Sequence, residues 1–198
     1  MIALDVDKEK RFQSGFRKVL KHEGVEFAAD GSVTKTGYVF HPEDPGGETN
    51  YGVTARVARE YGYTGDMRTI PLDVVEDIYR RRYWDKIGGG EIEDPEISDE
   101  VFDTAINMGP EKVVEFLQRT LNTLNKKGTL YPDVIADGVC GPKTIEALKA
   151  ALRVESWYRL CILRALDSLQ CVRYITLAEH DQKFETFMPG WLRTRVGV

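Results

Sequence analysis

The chain has 198 residues, 27 lysines and arginines against 32 aspartates and glutamates, a formal net charge of -5, and 42% hydrophobic residues. That length gives one or two compact domains with room for a core, and the acidic balance excludes broad electrostatic adhesion to nucleic acid or to an anionic membrane. No apolar run is long enough to span a bilayer, and the start, Met1 to Asp7, lacks the cationic and apolar regions of a signal peptide, so the expectation is synthesis and retention in the cytoplasm. Cys140, Cys161 and Cys171 are odd in number and sparse, which reads as free thiols packing as small apolar groups.

In chain order, Phe12, Phe16, Val19 and Leu20 recur at the spacing of one helical stripe, and Glu23 falls roughly 20° from Phe12 on the same wheel. A carboxylate therefore continues an apolar face. Gly24 suits the left-handed position that ends helices, which puts Glu23 in the last turn beside unpaired carbonyls. Partial desolvation and that dipole both raise a carboxyl pKa, as a general acid near neutral pH requires.

The stretches 26–29 and 32–36 flank Asp30-Gly31, a two-residue hairpin signal, and 37–40 offers a further strand. A glycine-rich loop follows, Asp44-Pro45-Gly46-Gly47-Glu48-Thr49-Asn50-Tyr51-Gly52, carrying possible bases, a hydroxyl to hold water and, in Tyr51, a ring to stack on a sugar. Glycoside hydrolysis needs these parts.

Thr54 can cap a helix through Val57, Ala58 and Tyr61 that Gly62 ends. Thr69-Ile70-Pro71 begins another, with Leu72, Val75, Tyr79 and Tyr83 as its core stripe, followed by a cationic run, Arg80 to Arg82, read as a solvated face. Gly88 to Gly90 and the acidic 91–96 make the best boundary, dividing a lobe of residues 1–90 from one of 91–198, packed as one unit. Beyond it come a buried helix over 101–110, an amphipathic one through Val113, Leu117 and Leu121, a turn at 137–144, one long helix from Arg153 to Thr176, and a closing element with Phe184, Phe187, Met188 and Trp191.

The helix ending in His22-Glu23-Gly24, followed by Asp44 to Thr54, resembles the glycoside hydrolase family 108 N-acetylmuramidases, mostly phage endolysins, some described as secretion activators. Residues 97–152 resemble the predicted peptidoglycan-binding segment that commonly follows, through Phe102-Asp103-Thr104-Ala105, Asn107, Gly109-Pro110, Leu117-Gln118 and Asp137-Gly138 with Gly141-Pro142. With the C-terminal Phe184-x-x-Phe187-x-x-Gly190-Trp191, the resemblance runs from about residue 12 to 195. The chain departs from the usual Glu-Gly-Gly-Tyr at Val25 and Glu26, and it separates Glu23 from Asp44 by about twice the family's usual interval.

The resemblance implies a mainly α, lysozyme-like fold with a small β hairpin lobe and a cleft between that lobe and the helical body. It also implies hydrolysis of the β-1,4 bond between N-acetylmuramic acid and N-acetylglucosamine. Glu23 is then the acid, Asp44 with Thr49 positions or activates water, and Tyr51, Asn107 and Tyr38 are candidate sugar contacts. Inversion predicts a carboxyl separation of about 6.5–9.5 Å, and a separation nearer about 5 Å predicts a retaining mechanism with a covalent intermediate. The Glu, Asp, Thr order of phage lysozymes fits Glu23, Asp44 and Thr49; Asp30 with Thr36 is a rival pair, ranked lower because Asp30-Gly31 is turn chemistry.

A lytic transglycosylase giving 1,6-anhydro products is the nearest enzymatic rival, and a non-catalytic wall-binding or secretion accessory protein the rival from another class. No cofactor or metal is expected: His22, His41 and His180 are scattered, and Glu43, Asp44 and Glu48 lack the spacing of a calcium loop. The partner expected is peptidoglycan, met by a monomer acting on the periplasmic wall after release from the bacterial cytoplasm, with neither nucleic acid nor membrane insertion involved.

Overall fold

The computed structural model of the protein describes residues 2–40 and 47–196. The chain forms two compact units, one through Asp85 and one from Lys86. Its class is the expected one, mainly helical with a small antiparallel strand lobe.

The first unit begins with helix α1, Ile2–His22. Phe12, Phe16, Val19 and Leu20 are all buried, as their common face requires. Phe12 and Phe16 stack at 5.6 Å, Trp84 meets Phe12 edge-on at 5.4 Å, and Tyr79 meets Phe16 edge-on at 5.4 Å. Tyr79 ends helix α3, Leu72–Tyr79, and Trp84 closes the π-helical turn Arg80–Trp84 that follows it. This turn corrects the reading of the cationic run as a solvated face for Arg80, while Arg81 is exposed as that reading expects. Arg80 lies 3.8 Å over the Phe12 ring and bonds to Glu9 and Glu76. Arg81 pairs with Asp77, and Arg82 with Glu60. A guanidinium can cover an aromatic face and still meet carboxylates at its rim, so Arg80 can close a core.

The strand lobe holds β1 (Glu26–Phe27) with β2 (Val33–Lys35), and β3 (Val39–Phe40), β4 (Glu48–Asn50) and β5 (Val53–Thr54) in a second sheet of order β3-β4-β5. The first hairpin turns through three residues instead of the expected two. Ala28 N–H bonds to Ser32 O at 2.8 Å and Gly31 N–H to Ala28 O at 2.9 Å, with Gly31 at φ +87°. Asp30 accepts from the Ser32 N–H and hydroxyl, which fixes it as a turn residue and holds its carboxyl below the usual range. The β4–β5 turn is the two-residue type I′, with Tyr51 at φ +52° and Gly52 at φ +74°. Thr54 then caps helix α2, Ala55–Glu60, by accepting from Val57 N–H.

The second unit packs helices α4 (Pro95–Met108), α5 (Pro110–Leu124), α6 (Pro142–Leu152), α7 (Tyr158–His180) and α8 (Met188–Thr194). Asp94 caps α4 with Pro95 in its first turn. α6 runs only to Leu152, and α7 starts at Tyr158 instead of Arg153 and continues to His180. Asp137, Gly138 and Val139 dock on α5 through Gln118, whose amide donates to Asp137 Oδ1, Val139 O and Thr144 Oγ1 and whose carbonyl accepts from Gly138 N–H. The Leu117-Gln118 and Asp137-Gly138 motifs are thus two halves of one packing device. All three cysteines are free, and burial pushes the Cys140 thiol up to about 11.

Candidate active site

The end of α1 builds the site. Glu23 N–H bonds back to Val19 O at 3.0 Å, Gly24 N–H to Lys21 O at 3.1 Å, and Val25 N–H to Leu20 O at 2.9 Å. That is a Schellman closure with Gly24 at φ +81°, and it buries Val25 in the same core as Leu20. Glu23 is the capping residue, half-buried, on a backbone tied on both sides.

Two left-handed glycines of the strand lobe press on it. A Cβ on Gly37 would stand 2.6 Å from the Glu23 carbonyl oxygen. A Cβ on Gly52 would stand 2.7 Å from Glu23 Cγ, 3.0 Å from its carboxyl carbon and 2.6 Å from the Tyr79 hydroxyl. The Glu23 side chain, the Gly52 backbone and the Tyr79 hydroxyl therefore converge on one point, where only glycine fits. Tyr79 is 2% exposed, and its hydroxyl donates to Tyr51 O at 3.0 Å, tying the type I′ turn to α3. Tyr51 N–H bonds to Thr36 O at 3.0 Å, which ties the same turn to the segment after β2. A bulky residue at positive φ is strained, and the two bonds at Tyr51 are what hold it there.

The expected site residues distribute as follows. Tyr51 is 7% exposed, which corrects its reading as an open stacking face: the turn buries the ring and raises its phenol pKa by desolvation. Tyr38 is half-buried and donates to Glu48 Oε1 at 2.9 Å; burial and then that carboxylate raise its pKa. Thr49 lies at the centre of the second sheet, opposite Val39 and Thr54. On the same strand, Asn50 is fully buried and donates to Met67 O at 2.7 Å. Asn107, on the last turn of α4 in the second unit, is exposed, with its amide donating to the Asp103 carbonyl and carboxylate. Asp44, with His41, Glu43 and Pro45, lies outside the described residues.

Sequence reasoning missed Tyr79 and Gly52 as parts of the site, assigning the first to a core stripe and the second to a loop motif. A tyrosine on a core stripe carries a signal of its own, because its buried hydroxyl needs a partner. Among the described residues, no three His, Cys, Asp or Glu side chains gather where they could hold a metal ion. Among them too, no helix is long and apolar enough to cross a membrane.

Both parts of the chain match known protein domains. Residues 16–109 match the family described as Glycosyl hydrolase 108, and residues 112–196 match the Predicted Peptidoglycan domain. The structure of Brucella abortus SagA is similar at a TM-score of 0.63 and 26% identity, over 95% of this chain and 90% of that one. No curated protein matches the chain. The protein thus carries a glycosyl hydrolase 108 domain, which holds Glu23, Gly52 and Tyr79, followed by a peptidoglycan domain, and is a glycosidase acting on peptidoglycan.

Proposed function

We propose that the protein is an endolysin-type N-acetylmuramidase that hydrolyses the β-1,4 bond between N-acetylmuramic acid and N-acetylglucosamine. The observation that carries this reading is the seating of Glu23, a carboxylic acid on a rigid helix cap with its side chain fixed against Gly52 and the Tyr79 hydroxyl. An acid that must protonate a glycosidic oxygen gains from such fixing, because the proton then meets the leaving group without reorganisation.

In this mechanism Glu23 donates its proton to the leaving oxygen as the bond to the anomeric carbon breaks. Water attacks the opposite face of the sugar, giving its proton to Asp44 and held by the Thr49 hydroxyl. Inversion by this pair requires a carboxyl separation of about 6.5–9.5 Å. Tyr38 serves as a sugar contact, and Tyr51 contributes its carbonyl and turn shape. The enzyme acts as a monomer on the periplasmic wall after release from the cytoplasm.

Mass spectrometry of purified peptidoglycan digested by the parent and by Glu23→Gln tests the reading. Reducing N-acetylmuramic acid ends that disappear in the variant are expected. Anhydro ends would move the reaction to a lytic transglycosylase, and an intact glycan would leave a wall-binding role.

A further inference from the structure

The second unit holds a pocket of about 290 Å³ lined by residues of α4, α7, α8 and the short helical turn before α8. Met108, Leu177, Phe184, Trp191 and Tyr174 line it together with the polar Asn107 and Arg173. Four observations bear on what it takes.

The first is a cation without a counter-ion. Arg173 is exposed, and no hydrogen bond or ion pair engages it among the described residues. Most other arginines here are spent on acids: Arg80 on Glu9, Arg159 on Glu96, and Arg195 on Asp103 at 2.6 Å. A free guanidinium beside apolar walls suits a carboxylate carried on an apolar body.

The second is an unpaired donor. Tyr174 is 3% exposed, and its buried hydroxyl has no hydrogen-bond partner among the described residues. A buried hydroxyl left alone is a deficit that a ligand oxygen can remove.

The third is the state of the aromatic ring that would otherwise hold a sugar. Trp191 stacks on Tyr174 at 4.6 Å and on Phe187 at 5.8 Å, with Phe184 tilted against it at 6.0 Å. Its faces are engaged within the protein, so it offers an edge, which fits methyl and alkyl groups better than a pyranose face.

The fourth is the chemistry of the polymer. Along a peptidoglycan strand the sugars are neutral where the lactyl group is amidated, and the free carboxylates sit on the short peptides, among alanine methyls and an alkyl side chain. Resting on the proposal that the chain cleaves peptidoglycan, we propose that this pocket binds the stem peptide, with Arg173 on a peptide carboxylate and Met108, Leu177 and Phe184 against its apolar side chains. The hydrolase half would then be held on wall segments that still carry their peptides.

The test uses the full chain with Glu23→Gln, which keeps the polymer intact during binding. Calorimetry is run with the free tetrapeptide L-Ala-D-Glu-meso-diaminopimelate-D-Ala, with the same peptide amidated at its carboxyls, and with glycan stripped of peptides by an amidase. Saturable tetrapeptide binding is expected, weakened tenfold or more by amidation and by Arg173→Gln, with Arg173→Lys intermediate. No saturable binding, or binding indifferent to both amidation and Arg173→Gln, overturns the pocket assignment. Digestion of stripped glycan by the parent is measured alongside: cleavage without peptide binding overturns the pocket alone, and no cleavage of any substrate overturns the muramidase reading.

Discussion

Two glycines in left-handed turns do the same physical work in different places. Gly52 in the first unit leaves room for the Glu23 side chain and the Tyr79 hydroxyl, and Gly138 in the second leaves room for the Glu111 carbonyl, 2.6 Å from where its Cβ would be. Both have positive φ, +74° and +75°, and both bring a loop onto a helix. One loop meets a carboxylic acid and the other meets backbone, with Gln118 completing the attachment. The geometry of a turn therefore does not reveal a site; what the turn touches does.

Adding a methyl at each position separates the two cases most sharply. Gly52→Ala should lower glycan cleavage at least about 100-fold, because it displaces the acid, with a stability loss of about 1–3 kcal/mol. Gly138→Ala meets unyielding backbone and should cost about 2–4 kcal/mol of stability, while the folded fraction cleaves stripped glycan at the parent rate. Urea titration and turnover per folded molecule read both. Equal losses of activity per folded molecule would break the distinction.

A second contrast lies in the titration of the buried groups. In the second unit, Glu100 accepts from Thr104 Oγ1, which in turn accepts from the buried Gln170 amide. Burial, then the nearby Asp167, with a smaller push from Asp103, raise the Glu100 pKa to about 7. A raised acid pKa means that the folded state holds its proton longer than the unfolded one. Its stabilising effect is full below the ordinary value of 4.5 and is lost as pH rises toward about 7. The slope should approach about 1.4 kcal/mol per pH unit within that window, and Glu100→Gln should flatten it. Denaturant midpoints at pH 4.5, 6 and 7.5 measure the effect, and an unchanged slope in the variant would assign it to other groups.

The smallest change sharpens the first unit. Tyr79→Phe removes the donor to Tyr51 O and should cost about 1 kcal/mol of stability. Because the turn it releases carries Gly52, kcat should fall several-fold with KM little altered. A fall in stability with kcat intact would reduce Tyr79 to a core residue.

Much of this arrangement was legible in the sequence where one local rule decides. The Phe12 to Leu20 stripe and Gly24 placed Glu23 at a helix end, and the structure closes that end as a Schellman motif. Thr54 marked a helix start because capping is chemistry between near neighbours, whereas Asp94, read as part of a break, caps α4, which starts at Pro95, six residues before the helix expected at 101. The rest depends on groups distant in sequence. Asp30-Gly31 signals a tight turn, but the pairing of Ala28 with Ser32 across the hairpin makes it a three-residue one. Arg80 looked like surface until Phe12, 68 positions earlier, supplied a ring beneath it. Tyr51 carried the residue type of a sugar platform, and the register of β4 with β5 turned it inward. Tyr79 could be placed in the core by periodicity, but not its hydroxyl on Tyr51 O, a contact that spans 28 positions.

The measurement closest to the central claim is turnover on purified peptidoglycan by parent and Glu23→Gln, with the unfolding midpoint of each taken on the same preparations. If Glu23 is the acid, cleavage falls about 1,000-fold or more while the midpoint stays within about 0.5 kcal/mol of the parent. Cleavage within tenfold of the parent in a fully folded variant would contradict the assignment and move the acid elsewhere in the chain.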